Sequence, residues 1–212
     1  MDYKSVNDNI RHGTTTVGIV CSDGVVMGAD VRATYGTYIS SGEAIKIHKI
    51  DENFAMTIAG GVGDAEYLVK LLKMQNDLYR MNESKPMTPT SATSLLSLVL
   101  QENKMYPYMV ELILGGLNKD KPEIFDIDPV GGYIKESRYS STGSGSIAAS
   151  GYLESIYSPD LTVQEAAKHV AKALKIAMKK DSATGDGMKI VTITKKGYRE
   201  HTKEDIEKLL LK

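Results

Sequence analysis

Strand-like and helix-like segments are grouped along this chain, and the order of the groups limits what it can fold into. Strand-like stretches run from Thr14 to about residue 60, two helical stretches follow, and strands and two helices then come once more before a last strand pair. Segregated runs of this kind favour antiparallel sheets with helices packed on the outside. The sequence therefore predicts an α+β layered sandwich.

The clearest helix lies near the C-terminal end of the chain. One apolar stripe at helical spacing is formed by Val163, Ala166, Ala167, Val170, Ala171, Leu174, Ala177 and Met178. Thr162 and Glu165 have the spacing of a capping box at its start. Apolar periodicity predicts three earlier helices over residues 64–81, 90–104 and 144–157, and a polar helix is expected from Lys203 onward.

Short runs rich in β-formers predict the strands. "TTTVGIVCS" and "VVMGADVRA" flank a turn at Asp23-Gly24, which is a strong hairpin signal. Further strands are predicted at "AIKIHKID", "FAMTIAG", "PYMVELILGG" and "PEIFDID", with "GGYIKESRY" as one continuous strand. A last hairpin, "MKIVTITKKGYREHT", is predicted to turn at Lys196-Gly197.

Composition excludes few functions but sets the context. The chain has 212 residues, a formal net charge of −1 and no basic run, so it gives no reason to expect a nucleic-acid or membrane partner. No window approaches the roughly 18 apolar residues of a membrane span, and residues 1–13 lack the apolar core of a secretory signal. The single cysteine, Cys21, cannot form a disulfide within the chain. We therefore expect a cytoplasmic protein.

The stretch "RHGTTTVG" allows two interpretations. Threonines after a glycine suit the entry to a strand. Alternatively, the Gly13–Thr14 bond is cut, because an N-terminal threonine can use its own amine as the base that activates its hydroxyl. A free α-amine titrates near 7.7–8.0, close to working pH, whereas the nitrogen of an internal threonine is an amide. Gly13 would leave the carbonyl of that bond accessible.

Several motifs in one order decide between these interpretations. "TTTVGIVCSDGVVMGADVRAT", "AIKIHKID", "MTIAGGVGDA", "YMVELILGG", "STGSGS" and "DSATGDG" resemble the proteasome β subunits, most closely the archaeal type. The resemblance covers nearly everything from Thr14 onward. It implies the Ntn-hydrolase fold, a four-layer αββα sandwich of two antiparallel sheets flanked by helices. It also implies a propeptide, residues 1–13, that is removed by self-cleavage from a single catalytic domain, residues 14–212.

The resemblance also implies roles for individual residues. Thr14 corresponds to the nucleophile, with Asp30 and Lys46 as its acidic and basic partners. An ammonium near Thr14 would lower the pKa of its hydroxyl and of its α-amine. Gly60 corresponds to the residue whose backbone N–H binds the oxyanion.

Three further residues, by the same resemblance, surround and orient the threonine amine: Ser144, Asp181 and Thr184. The family commonly has serine where this chain has Thr184, so the hydroxyl is kept and a methyl is added. A substrate pocket is implied at Ala33, Thr34, Ala44, His48, Ile58, Val62 and Glu66, and it would suit apolar side chains. His48 could equally be a strand-face histidine whose hydrogen bonds are satisfied.

The implied activity is that of a threonine endopeptidase that cleaves unfolded proteins and needs no metal or organic cofactor. The implied assembly has seven-membered β rings flanked by α-subunit rings, with an ATPase unfoldase feeding substrate. Three alternatives remain open: an inactive ring subunit of the same fold, a small-molecule amidohydrolase with the same nucleophile, and a nucleotide-binding module. The last rests on "GGVGDA" and "TGSGS" before helices, but neither matches a phosphate-binding motif.

Overall fold

Two five-stranded antiparallel sheets dominate residues 13–211, the part of the chain that the computed structural model describes. The first sheet has the order β10-β1-β2-β11-β12, where the strands are Thr16–Cys21 (β1), Gly24–Asp30 (β2), Tyr139–Thr142 (β10), Met188–Thr194 (β11) and Gly197–Glu200 (β12). The second has the order β5-β6-β7-β8-β9, with Ile47–Lys49 (β5), Phe54–Gly60 (β6), Val110–Asn118 (β7), Lys121–Ile127 (β8) and Tyr133–Glu136 (β9). Ala33–Tyr35 (β3) and Tyr38–Ser41 (β4) form a separate hairpin.

Helices cover the outer face of each sheet. The elements are Val62–Glu83 (α1), Pro89–Glu102 (α2), Ser146–Ile156 (α3), Val163–Lys180 (α4) and Lys203–Leu211 (α5). Helices α1 and α2 pack on the second sheet, α3 and α4 pack on the first, and α5 packs against α4. Buried residues such as Met27, Val191 and Ile113 fill the space between the two sheets. The predicted four-layer αββα sandwich is therefore confirmed.

Helix α4 shows why the sequence pattern predicted this element well. The Thr162 hydroxyl accepts from the Glu165 backbone N–H, while the Glu165 carboxylate accepts from the Thr162 N–H, so the predicted capping box is present. The apolar stripe is buried against the first sheet, with Val170 and Leu174 fully inside. Two lysines, Lys179 and Lys180, lie in the last turn, where cations favour the helix dipole.

Two predictions about strands were wrong. The stretch "GGYIKESRY" is not one strand, because β9 pairs with β8 in the second sheet whereas β10 pairs with β1 in the first. The chain changes sheets at Ser137 and Arg138. The β3–β4 hairpin was not predicted, since its sequence lacks the apolar alternation of a half-buried strand and β4 is exposed throughout.

The two sheets are also joined by hydrogen bonds at one end of the sandwich. Thr57 of the second sheet donates to the Thr16 hydroxyl at 3.0 Å, and Thr16 pairs with the Thr142 hydroxyl at 2.7 Å. All three side chains are buried, so the bonds satisfy groups that would otherwise be costly to enclose. The start of β1 lies at this end, and so does the segment from Gly13 to Thr15 that precedes it.

The predicted propeptide falls almost entirely on residues 1–12, which lie outside the described residues. Gly13 and Thr14 are described, and both are buried. Between residues 13 and 211, no helix combines the length and apolar character needed to cross a membrane.

Asn76 fixes helix α1 to the turn between β5 and β6. Its amide donates to the Asp51 carboxylate at 2.7 Å, and its carbonyl oxygen accepts from the Met87 N–H at 3.0 Å. Arg80 pairs with the same carboxylate. Burial alone would raise the pKa of Asp51, but the hydrogen bonds from Asn76 and the Glu52 N–H, together with Arg80, hold that pKa below its usual range.

We expect Asn76→Ala to lower the free energy of unfolding by about 1–3 kcal/mol, because it leaves the buried Met87 N–H without an acceptor. Urea unfolding at one fixed protein concentration measures the change. Asn82→Ala, on the exposed face of the same helix, is the matched control and should stay within about 0.5 kcal/mol of the parent chain. Equal effects of the two substitutions would contradict the role given to Asn76.

Candidate active site

The Asp30 carboxylate is the centre of the site. It lies at the end of β2, is fully buried, and accepts four hydrogen bonds. Oδ1 accepts from the Thr15 N–H at 2.9 Å and from Lys46 Nζ at 2.8 Å. Oδ2 accepts from the N–H groups of Arg32 at 3.1 Å and Gly185 at 3.0 Å. Four separate chain segments therefore meet at one charge.

Lys46 is buried beside that charge, just before β5. Its ammonium donates to Asp30 and also, at 3.3 Å, to the carbonyl oxygen of Gly13. Burial lowers the pKa of Lys46, and the charge and hydrogen bond of Asp30 oppose this shift only in part. The lysine is thus a positive charge held against the Gly13–Thr14 peptide, with a proton that it gives up more readily than an exposed lysine would.

The Gly13–Thr14 peptide is held from several sides. The Thr14 hydroxyl donates to the Gly13 carbonyl oxygen at 2.7 Å, so hydroxyl and carbonyl are in direct contact. The Gly13 N–H donates to the Thr34 hydroxyl at 2.8 Å. A side chain at position 13 would not fit, because a Cβ there would lie 1.8 Å from the Cβ of Ala183. Position 13 therefore requires glycine for steric reasons.

A second group of polar side chains surrounds the Thr14 nitrogen. The Thr14 N–H donates to Ser144 Oγ at 3.3 Å, and Ser144 in turn donates to Asp181 at 2.5 Å. Thr184 donates to the same Asp181 oxygen at 2.5 Å, and its hydroxyl lies 2.8 Å from that of Thr15. The substitution of threonine for the family's usual serine therefore keeps the hydroxyl in a hydrogen-bonded position, with Thr184 almost fully buried.

Gly60 ends β6 on the other side of the site. Its φ of +110° is a conformation that side-chain-bearing residues rarely adopt, and a Cβ there would lie 2.1 Å from the Met109 carbonyl oxygen. Gly60 and Ser144 line one cavity of about 370 Å³, together with Met109, Glu111, Pro129 and Gly143. The structure thus brings all seven predicted catalytic residues to one end of the sandwich.

The predicted pocket residues lie mainly on the opposite side, around β3, β5 and the start of α1. Thr34 contacts Gly13, Ala33 is its neighbour on β3, and the Ala44 N–H donates to the Val31 carbonyl at 2.8 Å. The Ile58 N–H donates to the Lys46 carbonyl at 2.9 Å, so the largely buried Ile58 adjoins the site through the backbone.

His48 faces helix α1 within this group. Burial and the charge of Lys73 lower its pKa, against a hydrogen bond to the Ile45 backbone and the charge of Glu66. Its Nε2 is buried, with no hydrogen-bond partner among residues 13–211. Val62 and Glu66 stand one turn apart on α1, both half exposed, and Glu66 pairs with Lys70 at 3.2 Å.

Three residues of the site were missed in the sequence. Thr15 holds both Asp30 and Thr184, as described above. Arg32 clamps the loop after α4, because its guanidinium pairs with Asp186 at 2.8 Å and donates to the Ser182 carbonyl at 2.8 Å. Glu111 accepts from the Gly143 N–H at 2.9 Å. Only Glu111 left a sequence signal, since it is a charged residue inside the apolar run "YMVELILGG".

No group of three or more His, Cys, Asp or Glu side chains in the described part of the chain is arranged to hold a metal ion. The groups present are a hydroxyl against a carbonyl, a buried ammonium and a set of oriented acceptors. Such an arrangement can activate a hydroxyl and polarise a peptide carbonyl.

The fold and the arrangement of the site define a class: this is a protein of the Ntn-hydrolase fold, with a threonine at the start of its first strand. Comparison with known proteins gives the family. The proteasome subunit family matches residues 10–193, so the chain belongs to that family.

Three archaeal relatives named "Proteasome subunit beta" illustrate the similarity. The protein of Ferroglobus placidus is 45% identical over 98% of this chain and 99% of its own length. That of Archaeoglobus profundus is 43% identical over 97% and 95%, and that of Methanosarcina barkeri is 43% identical over 96% and 96%. The archaeal β-subunit resemblance inferred from the sequence motifs is confirmed.

We expect Asp30→Asn to destabilise the fold by about 3 kcal/mol or more, because it leaves the buried Lys46 ammonium without its counter-charge. The free energy of unfolding in urea measures this. Asp186→Asn is the matched control: it removes a partly exposed carboxylate that pairs with Arg32, and it should cost less than about 1 kcal/mol. A small effect of Asp30→Asn would refute the central place given to that carboxylate.

Proposed function

We propose that this chain is the precursor of a threonine endopeptidase subunit of a proteasome core, with Thr14 as the nucleophile. The observation that carries the proposal is the contact between the Thr14 hydroxyl and the Gly13 carbonyl oxygen, at 2.7 Å, with Lys46 donating to the same oxygen. A nucleophile lies against the bond to be cut, and a cation is in place to stabilise the charge that develops there. Membership of the proteasome family supports the same conclusion.

Self-cleavage comes first in this proposal. Thr14 Oγ attacks the carbonyl carbon of Gly13, the C–N bond breaks, and the nitrogen takes a proton and becomes the Thr14 amine. The resulting ester between Gly13 and the Thr14 oxygen is hydrolysed by water, which leaves a carboxylate on Gly13 and restores the hydroxyl. Residues 1–13 depart, and the catalytic domain begins at Thr14.

The new amine then acts as the base for substrate cleavage. It stands where the Thr14 N–H now donates to Ser144, within a hydrogen-bonded chain that ends at Asp181. The amine takes the proton of the hydroxyl as Oγ attacks a peptide carbonyl, and gives it to the leaving amine. The nearby charge of Lys46 favours the neutral, basic form of the α-amine. Water then releases the acyl group from Thr14.

Gly60 supplies the oxyanion donor in this mechanism through its backbone N–H. Its positive φ and its position beside Ser144 support that role, because only glycine fits against Met109 there. An acyl-transfer enzyme gains about 10²–10³ in rate from a donor of this kind. The group that includes Ile58 and His48 would receive the substrate side chain that precedes the cleaved bond.

Assembly is part of the proposed function. Helix α1 exposes Tyr67, Met74, Leu78 and Met81 along one side, and the β3–β4 hairpin exposes Tyr35 and Tyr38. Apolar surfaces of this kind mark protein contacts. We propose that they are covered in seven-membered β rings flanked by α-subunit rings, with an ATPase unfoldase supplying unfolded proteins in the cytoplasm.

Two rival functions share this fold. An inactive ring subunit would have no chemical need for the hydrogen-bonded set around Thr14, from Asp30 to Thr184. A small-molecule amidohydrolase would use the same nucleophile without any need for assembly. Hydrolysis of protein substrates that appears only on ring assembly would favour the peptidase.

Intact mass of the assembled particle tests the nucleophile directly. The parent subunit should lose the mass of residues 1–13, whereas Thr14→Ala should keep it and lose peptidase activity by about 10³-fold or more, because no hydroxyl is left to attack. Thr14→Ser, which keeps a hydroxyl at the same position, is the matched control and should still be processed. Loss of residues 1–13 from all three chains to the same extent would mean that another protease removes the propeptide.

Thr184 provides a second test. Thr184→Ser keeps the hydroxyl bonded to Asp181, and kcat/KM for a fluorogenic peptide should stay within about threefold of the parent value. Thr184→Val keeps the shape but loses a bond to a charged group, worth about 1.5–3 kcal/mol, so kcat/KM should fall by about 10- to 100-fold. If valine were tolerated as well as serine, Thr184 would have no part in orienting the amine.

A further inference from the structure

The cavity lined by Gly60 and Ser144 lies on one side of Thr14, and the mechanism above uses those two residues but assigns no part of the substrate chain to the rest of the cavity. At about 370 Å³ it falls in the range of about 300–1,000 Å³ that ligand pockets occupy. It opens between the end of β6, the start of β7 and the loop before α3. Part of a bound peptide can therefore enter it.

The position of Gly13, the last residue of the propeptide, indicates which part of a bound peptide enters the cavity. The chain before the Gly13 carbonyl runs towards β3, because the Gly13 N–H donates to Thr34. Substrate residues that precede the cleaved bond must follow the same side, since Thr14 attacks both carbonyls with the same hydroxyl. The cavity is on the other side, beside Gly143 and Ser144, and so it faces the residues that follow the cleaved bond. This step rests on the proposed function.

Glu111 is the one ionisable side chain among the residues that line the cavity. Its Oε2 is anchored by the Gly143 N–H at 2.9 Å, while no hydrogen bond to Oε1 is recorded from the described residues. The residue is exposed, so the carboxylate can be reached by a ligand. An anchored acceptor with one oxygen available is suited to bind a cation.

A second carboxyl group, that of Asp126, lies near enough to Glu111 to feel its charge. Asp126 lies on the neighbouring strand β8 of the same sheet and bonds to Ser140 at 2.7 Å. Burial, with smaller contributions from the charges of Glu111 and Asp128, raises the pKa of Asp126. Lys46, the cation of the catalytic group, is paired with Asp30 and does not neutralise this side.

We propose that Glu111 gives the site a preference for substrates with lysine or arginine directly after the cleaved bond. The side chain of such a residue enters the cavity, and its cationic end pairs with Glu111 Oε1. The other side of the site combines the buried Ile58 with the half-exposed Glu66, so the two sides present different surfaces to the peptide.

The test is a map of cleavage sites in a denatured protein digested by the assembled protease, read by mass spectrometry. Cleavages before lysine or arginine are counted relative to cleavages before leucine or alanine. Glu111→Gln keeps an oxygen for the Gly143 N–H and removes the charge, so we expect this ratio to fall about two- to fivefold, the range of an exposed ion pair. Glu111→Lys should reverse it in favour of acidic residues.

Glu66→Gln is the matched control, because it removes a carboxylate from the opposite side of the site. Its overall rate is free to change, but the ratio should not. A ratio unaffected by Glu111→Gln would overturn the proposal while leaving the peptidase function intact. A parent particle that hydrolyses no uncharged fluorogenic peptide would instead overturn the proposed function, and the preference with it.

Salt gives a second measurement that needs no variant. The preference of the parent protease for basic residues should weaken as ionic strength rises from about 0.05 to 0.5 M, because an exposed pair is screened. Should Glu111→Gln fail to assemble, this titration decides the question. A ratio that is independent of salt would then reject the ion pair.

Discussion

The buried charge of Asp30 is the constraint on which the rest of the site depends. A carboxylate taken fully out of water is costly unless its oxygens are matched by donors, and here three backbone N–H groups and the Lys46 ammonium supply them. The donors come from the segment before β1, the link after β2, the segment before β5 and the loop after α4. Satisfying one charge therefore fixes the relative positions of four parts of the chain, and the Gly13–Thr14 peptide is among them.

The antiparallel sandwich places these segments at a common end. Strand β1 starts there, β2 and β6 end there, and the loop from β10 to α3 returns to the same place with Ser144. Two residues after Thr14, the hydroxyls of Thr16, Thr57 and Thr142 join the two sheets, so the start of β1 is held from both sides. The surface above it is asymmetric. Lys46 and the apolar Ile58 lie towards one side, and the anchored carboxylate of Glu111 lies towards the other.

Much of the fold could be predicted because its signals are local. The stripe and capping box of α4 reflect interactions within a few residues, and the structure contains both. The hairpin predicted around Asp23-Gly24 is also present, with its turn one residue earlier, at Ser22-Asp23, because Gly24 pairs with Cys21. The two failures have different causes. The β3–β4 hairpin pairs residues close in sequence, but its exposed β4 has no apolar alternation to signal a strand. Whether residues 133–142 form one strand or two depends on which sheet offers an edge, and no local pattern carries that information.

The residues of the site also fall into two groups, those that could be predicted from the sequence and those that could not. Resemblance to a family predicted roles for Thr14, Asp30, Lys46 and Gly60, but nothing in the residues around Arg32 or Thr15 indicated that they would meet the loop after α4. By itself the sequence determined the type of most elements and a layered α+β sandwich, because hydrophobic periodicity and capping act over short distances. The four-layer αββα arrangement was implied by the family resemblance. Only the tertiary structure decided which groups face one another across the site. The reason is that a buried charge takes its donors from wherever the fold brings them, and two of the four donors to Asp30, Lys46 and Gly185, lie 16 and 155 residues away.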